Sequence, residues 1–296
     1  MVAPARIRPC APEELPALVA LLDAEFVFGK GRSISLARRF PALLGAANCR
    51  NVLVASRGEG IDACIAVKRF DWIAPGRSWR GAMIGLVYTR PAERGQGLAT
   101  QLLRAAQEQL RAGGTAFAVL FTAQPAFYRR LGWIGADRGV FGTCSAPAGS
   151  GAGGADTGCT PADAQAIEAM RTNAREARMA RDETAYRALP LPAERLEKRA
   201  SIGSAAYAIY GVRADDAYVY EFGGEASGYA LLWQDICAGA RRIHVNARRG
   251  SAAQRWLANL PGIAWREQAL AMWLPLAEPA SAAHFSEWYV PYLDRI

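Results

Sequence analysis

The sequence predicts an α/β protein with mixed sheets, divided into two domains. Three observations carry that expectation. The chain has 296 residues, and domains commonly run to about 100–200 residues each. Strand-like and helix-like stretches alternate along both halves. Between the halves, residues 146–158 read APAGSGAGGADTG, with no core-forming side chain, which is the composition of a flexible linker. The expected units are residues 1–145, the linker 146–158, and residues 159–296.

The elements of the first half follow from hydrophobic spacing. Ile7 marks a short opening strand. Pro12, Glu13 and Glu14 open a helix with Leu15, Leu18, Val19, Leu22 and Phe26 on one face, at a 3.6-residue period. Ser33 or Ser35 caps a second helix bearing Leu36, Phe40, Leu43 and Leu44, although Pro41 falls inside it. Residues 52–55, 63–70 and 83–88 read as strands. A long helix over about 97–111 buries Ala99, Leu102, Leu103, Ala106 and Leu110, and Gly113-Gly114 stop it. Residues 117–121 form a continuous apolar run, expected of a strand covered on both faces. Pro125 begins a short helix ending at Leu131-Gly132. The second half opens with a helix over about 161–181. Strands are expected at 206–212, 217–222, 229–233 and 243–246, then a helix at 251–260 stopped by Pro261 and a last strand at 269–276.

Composition narrows the function classes. Hydrophobic residues make up 51% and charged residues 21%, which excludes a disordered chain. No stretch approaches the roughly 18 apolar residues of a membrane span. The apolar run 15–22 is flanked by Glu13, Glu14, Asp23 and Glu25, unlike a secretory leader. A cytoplasmic protein without a membrane partner is expected. Cys10, Cys49, Cys64, Cys144, Cys159 and Cys237 include no C-x-x-C pair, and the two histidines, His244 and His284, lie far from any cysteine cluster. Neither a disulfide framework nor a metal site is expected.

Charge is unevenly spread. Residues 1–145 hold 19 Lys and Arg against 10 Asp and Glu, while residues 146–296 hold 16 against 17. The first half should attract an anion. Nucleic acid and a phosphate-bearing cofactor are the two candidates. No basic stripe interleaved with aromatics or known nucleic-acid signature is present, so no nucleic-acid partner is expected.

The chemistry concentrates between residues 81 and 133. A strand ends at Tyr88-Thr89, and after Arg90-Pro91 comes Arg94-Gly95-Gln96-Gly97-Leu98-Ala99 at the start of the long helix. A strand feeding a glycine-rich turn into a helix makes an anion cradle. Glycines let the backbone turn tightly, and the first helical turn presents free N–H groups reinforced by the helix dipole. The N–H groups of Gln96 to Thr100 are the expected diphosphate donors, with Arg94 adding a full charge. The P-loop pattern is absent. The dinucleotide pattern fails because Thr100 stands where a third glycine is needed, and residues 109–136 contain no acid for a ribose. A third pattern fits. Arg94, Gly97 and Ala99 match R-x-x-G-x-A, and Phe127, Tyr128, Leu131, Gly132 and Trp133 match F-Y-x-x-L-G-[FW] downstream.

These paired motifs resemble the GNAT superfamily of acyl-CoA-dependent N-acyltransferases, over about residues 5–142. The resemblance implies a GNAT fold with acetyl-CoA lying between two splayed parallel strands, about 81–88 and 117–122. Cofactor contacts would come from Leu86, Val87, Arg94, Gly95, Gln96, Gly97, Leu98, Ala99 and Thr100. The pantetheine arm would pair with backbone near Leu86 and Val87, where an N–H would polarise the thioester carbonyl. Tyr128 would be the general acid for the departing thiolate. The expected reaction is direct attack by a primary amine, on a small molecule or peptide, with no metal.

One departure concerns the base. The strand before the cradle carries no carboxylate, so Glu25, Asp71 and a water chain remain open. In layout the chain also resembles the tandem enhanced-intracellular-survival family, in which the chain end enters the active site. That resemblance makes the Ile296 carboxylate a further candidate, and either it or Asp294 is expected to help anchor or deprotonate a cationic substrate. The second half reads as a GNAT-like repeat that has lost its cofactor site. Aligning Gly250 with Gly97 puts Ala247 where Arg94 stands. Its expected task is to cover the first domain and shape the acceptor pocket. Trp233, Trp256, Trp265, Trp273 and Trp288 are available for an aromatic wall or for core packing. A non-catalytic acyl-CoA-binding protein on the same fold is the alternative to an enzyme, and self-association is left open.

Overall fold

The computed structural model describes residues 5–146, 161–173, 176–182, 185–186, 197–202, 206–238, 240–278 and 280–296. Most of the expected linker and Cys159 lie outside these residues.

The first half runs β1 (Arg6–Pro9), α1 (Leu15–Phe26), α2 (Leu36–Arg39), β2 (Val52–Ser56), β3 (Ala63–Ala74), β4 (Arg77–Thr89), α3 (Leu98–Ala112), β5 (Phe117–Phe121), α4 (Pro125–Arg129), β6 (Ile134–Gly135) and β7 (Gly139–Ser145). The second half runs α5 (Pro161–Asn173), β8 (Arg178–Met179), β9 (Glu197–Ile202), β10 (Ala206–Arg213), β11 (Asp216–Gly224), α6 (Tyr229–Ala238), β12 (Arg242–Arg248), α7 (Ala252–Ala258), β13 (Ala264–Glu267), β14 (Ala271–Pro275) and α8 (Ala282–Phe285). This is the mixed α/β architecture the sequence predicts.

Alternation along the strands builds the first core. Leu53, Ala55, Ile65, Val67, Ala82 and Ile84 face Leu98, Leu102, Leu103, Ala106 and Leu110 of α3. The intervening residues Val52, Val54, Cys64 and Ala66 face the opposite way, onto Leu15, Leu18 and Leu22 of α1 and Leu36 of α2. Each fully buried leucine contributes about 1.5–3 kcal/mol. Helix α2 stops at Arg39, shorter than its apolar spacing predicts, because the residue before a proline is driven out of the helical region. Ser35 caps it by accepting from the Ala37 amide at 3.2 Å.

The two sheets exchange strands. The first has the order β1-β2-β3-β4-β5-β14-β6, with β8 also on β3, and the second has the order β13-β7-β12-β11-β10-β9. Thus β14, from the second half, lies between β5 and β6, and β7, from the first, lies between β13 and β12. The division at residue 145 therefore follows the chain and not the sheets. Asp137 helps fix the exchange. Its carboxylate accepts from the Gly139 amide at 2.7 Å and from the Leu270 and Ala271 amides at 3.0 Å each.

Two expectations need correction. Residues 229–233 belong to a helix and not a strand. Tyr229, Leu232, Trp233, Ile236 and Cys237 are its buried positions, a helical period that a five-residue window is too short to reveal. The helix from 161 ends at Asn173 in place of about 181, and β8 comes after it. Of the tryptophans, Trp233 and Trp256 pack on the second sheet. Trp273 and Trp288 join Trp72, Phe117 and Phe285 in a core that ties the halves together.

Candidate active site

Strands β4 and β5 are parallel partners only at Gly81↔Phe117, Ala82↔Ala118 and Met83↔Val119. Beyond Met83, β4 continues to Thr89 without a β5 partner, while β5 pairs along its length with β14. The two strands therefore splay at their carboxyl ends. On the other side of β4 the register with β3 steps from Cys64↔Tyr88 to Ala66↔Gly85. Leu86 and Val87 together oppose Ile65, which is a β-bulge. Leu86 adopts φ 50°, unusual for a branched side chain and stored strain of a kind that clusters at functional sites. The Cys64 thiol lies 3.8 Å from the Leu86 carbonyl and donates to it.

The turn after β4 holds the cradle residues. Gly95 and Gly97 have φ 82° and 79°, and Gly97 is the N-cap of α3. A Cβ on Gly95 would meet nothing within 4 Å, and one on Gly97 only the Gln101 side chain at 3.9 Å. The Gln101 amide bonds back to the Gly97 carbonyl at 3.0 Å, so the amides of Leu98, Ala99 and Thr100 are the first-turn donors left without an intrahelical acceptor. This open, amide-lined turn fits an anionic diphosphate. Gln96 is pinned by Glu93, whose carboxylate accepts from its amide at 3.1 Å, and by a short contact with Arg57. Arg94 is half exposed. Its Nε donates to the Thr89 carbonyl at 3.1 Å and its Nη2 pairs with Glu25 at 3.0 Å.

Tyr128 sits on α4, 8% exposed, among residues of the α3-side core. Its ring lies edge-on to Phe127 and Trp133, at 4.9 and 6.2 Å. Burial raises its phenol above the usual tyrosine value.

The chain's last residues reach the same splay. Ile296 packs against Gly85, the residue before the bulge. A Cβ on Gly85 would stand 2.7 Å from the Ile296 Cγ1 and 3.2 Å from its carbonyl carbon. Asp294 is buried and gripped by Arg181 through two bonds, Nε–Oδ1 at 2.8 Å and Nη2–Oδ2 at 2.7 Å. Burial alone would push its carboxyl up, but the Arg181 guanidinium more than reverses this and holds it below the usual range. Asp294 is thus occupied as an anchor. Of the other base candidates, Glu25 is committed to Arg94. Asp71 lies opposite Arg80, at the far end of β4 from the bulge. Sequence reasoning missed Arg181, since nothing in its neighbourhood marks it as a partner for a residue 113 positions away.

The second half repeats the frame. β11 and β12 are parallel from Asp216↔Arg242 to Val219↔Val245. β11 bulges at Tyr220, where Ile209↔Glu221 gives way to Tyr210↔Val219, and α6 succeeds it as α3 succeeds β4. The counterpart of the Arg94–Gly97 turn is therefore residues 224–228. Gly250 precedes α7, the counterpart of α4, so its alignment with Gly97 is displaced by one helix and one strand.

Residues 6–135 match the family model described as the Acetyltransferase (GNAT) domain, and this part of the chain is a GNAT domain. Across the whole length the fold is similar to three larger solved proteins. One is a GCN5-related N-acetyltransferase from Kribbella flavida, at TM-score 0.71 and 16% identity, covering 92% of this chain and 71% of that one. Another is a probable N-acyltransferase from Enterococcus faecalis V583, at 0.72 and 15%, covering 93% and 73%. The third is Eis1 from Mycobacterium abscessus, at 0.64 and 14%, covering 92% and 74%. At these identities the likeness is one of fold. No curated protein matches the sequence.

Proposed function

We propose that the protein is an acetyl-CoA-dependent N-acetyltransferase acting on a primary amine of a small molecule or peptide. The observation that carries this reading is the open splay between β4 and β5, with a strained bulge on one side and an unblocked, amide-lined turn at its mouth. The Leu98–Thr100 amides and Arg94 hold the diphosphate. The backbone around Leu86 and Val87 pairs with the pantetheine arm and presents an N–H to the thioester carbonyl, an interaction worth about 3 kcal/mol in the transition state. Much of the remaining acceleration comes from holding amine and thioester together.

Two proton transfers complete the reaction. The amine must lose a proton before or as it attacks the thioester carbon. The carboxyl group of Ile296, packed against Gly85, is the base we assign where the chain ends there. The C–S bond then breaks, and the sulfur takes a proton from Tyr128. Burial raises this phenol above the usual tyrosine value, so it stays protonated at neutral pH and is available to donate.

Release of free CoA thiol across a panel of primary amines tests the reading, with calorimetry of CoA binding alongside it. Turnover with at least one amine is expected. CoA binding without turnover, unaltered by Tyr128→Phe, identifies a binding protein instead. A chain extended by two residues after Ile296 should lose most of its rate and keep its CoA affinity.

A further inference from the structure

We propose that Arg181 is a positioning residue for the transfer site: through Asp294 it fixes residues 290–296 across the mouth of the β4–β5 splay, so that the second half of the molecule sets the acceptor side of the first. The inference rests on the placement of transfer at that splay.

The geometry is a chain of short contacts. The side chains of Arg181 and Asp294 are 1% and 2% exposed. Their two-pronged pairing fixes orientation as well as distance, which a single-point contact does not do. Arg181 is itself held from behind. Its Nη2 also donates to Glu221 at 2.7 Å, and Glu221 accepts from the Tyr207 hydroxyl at 2.8 Å and faces the Arg171 guanidinium at 3.5 Å. Glu221 and Tyr207 belong to β11 and β10, so the clamp is bolted to the second sheet. From the first sheet, Lys68 of β3 donates to the Asp294 carbonyl at 3.1 Å. One residue is thus gripped from both sheets, by side chain from one and by backbone from the other.

The two residues after Asp294 touch both lips of the splay. The Arg295 guanidinium lies 4.2 Å from the ring centroid of Phe121, the last residue of β5. Ile296 lies against Gly85 of β4. A shift at Asp294 therefore moves both contacts together. Stability alone does not call for this arrangement, since apolar residues of similar volume commonly serve as well as a buried ion pair. A fixed register does call for it.

The test uses the full chain with Asp294→Asn and Arg181→Lys. The second keeps the charge and loses one prong, so it carries the test if the first does not fold. Hydrogen exchange reads the Asp294 and Arg295 amides, which bond to Pro291 and Tyr292. Exchange about tenfold faster is expected, since these amides would open locally and not with the whole fold. In steady state, kcat/KM for the amine should fall about tenfold while the Kd for CoA stays within about twofold, the split expected of an acceptor-side defect. Unaltered exchange at these amides overturns the clamp. So does an equal loss toward amine and CoA, which marks general damage. Exchange needs no turnover, so a wild-type protein inert toward every amine overturns the proposed function on a separate readout.

Discussion

The two halves carry the same frame with opposite contents. In each, a bulged strand runs parallel to its neighbour for a few residues and then parts from it. In the first, β4 and β5 part beside a turn whose glycines face open space. In the second, side chains occupy the equivalent positions. The Asn246 amide donates to the Val219 carbonyl at 3.4 Å, where the parallel pairing ends. The Tyr229 hydroxyl donates to the Gly224 carbonyl at 2.7 Å. Phe222 and Trp256 stack 6.2 Å apart, and a cavity of about 220 Å³ is what remains. A Cβ on Gly228 would stand 2.7 Å from that of Ala206, so this turn is packed where its counterpart is open. The frame supplies unpaired backbone, and the side chains decide whether a ligand or the protein itself takes it.

That contrast breaks or sharpens at four points. The largest effect should fall on the joint between the halves. Asp294→Asn leaves Arg181 short of a buried partner and should cost about 3 kcal/mol in urea unfolding at neutral pH. Because the folded carboxyl lies below its unfolded value, this contribution is complete above the unfolded value of about 3.9 and is lost as pH falls through the folded one. The difference between variant and wild type should therefore shrink below about pH 4. A gap that persists in acid assigns the cost to packing. Next, Tyr128→Phe should lower kcat about 100-fold and leave CoA affinity within about twofold. A parallel loss of affinity would make Tyr128 a packing residue.

The two turns can then be set against each other. Gly97→Ala places a Cβ at φ 79° and should weaken CoA binding about tenfold in calorimetry. Gly224→Ala, at φ 97°, should leave CoA binding unaltered, with one CoA per chain throughout. Two CoA per chain would break the comparison outright. The smallest effect concerns Arg94. Glu25→Gln removes a half-exposed partner and should tighten CoA binding by up to about fivefold, within the range of an exposed ion pair.

The site was legible where its information is local. Arg94, Gly97 and Ala99 fall within six consecutive residues, and Tyr128 comes at a fixed distance on the next helix, so spacing alone marks them. Most strands and helices of the first half were legible for the same reason, although β6 and β7 were not. The second half yielded β10, β11, β12 and β14 but not β8 or β9, and 229–238 needed a longer window to separate a helix from a strand. Its cradle turn was misplaced because Gly250 repeats the look of Gly97 without its position in the order of elements. Pairings between distant residues left no mark at all. Nothing around Arg181 or Asp294 signals the other, and no local pattern tells that 271–275 belongs beside 117–121.

The exchange of β7 and β14 bears on how the molecule is made. During synthesis, the edge of Phe117–Phe121 stays bare until residue 275 has left the ribosome, more than 150 positions later. A fragment ending near residue 146 would present that apolar edge to any passing strand, an aggregation hazard. The halves should therefore mature as one cooperative unit, and a nascent chain stalled between them should depend on chaperones.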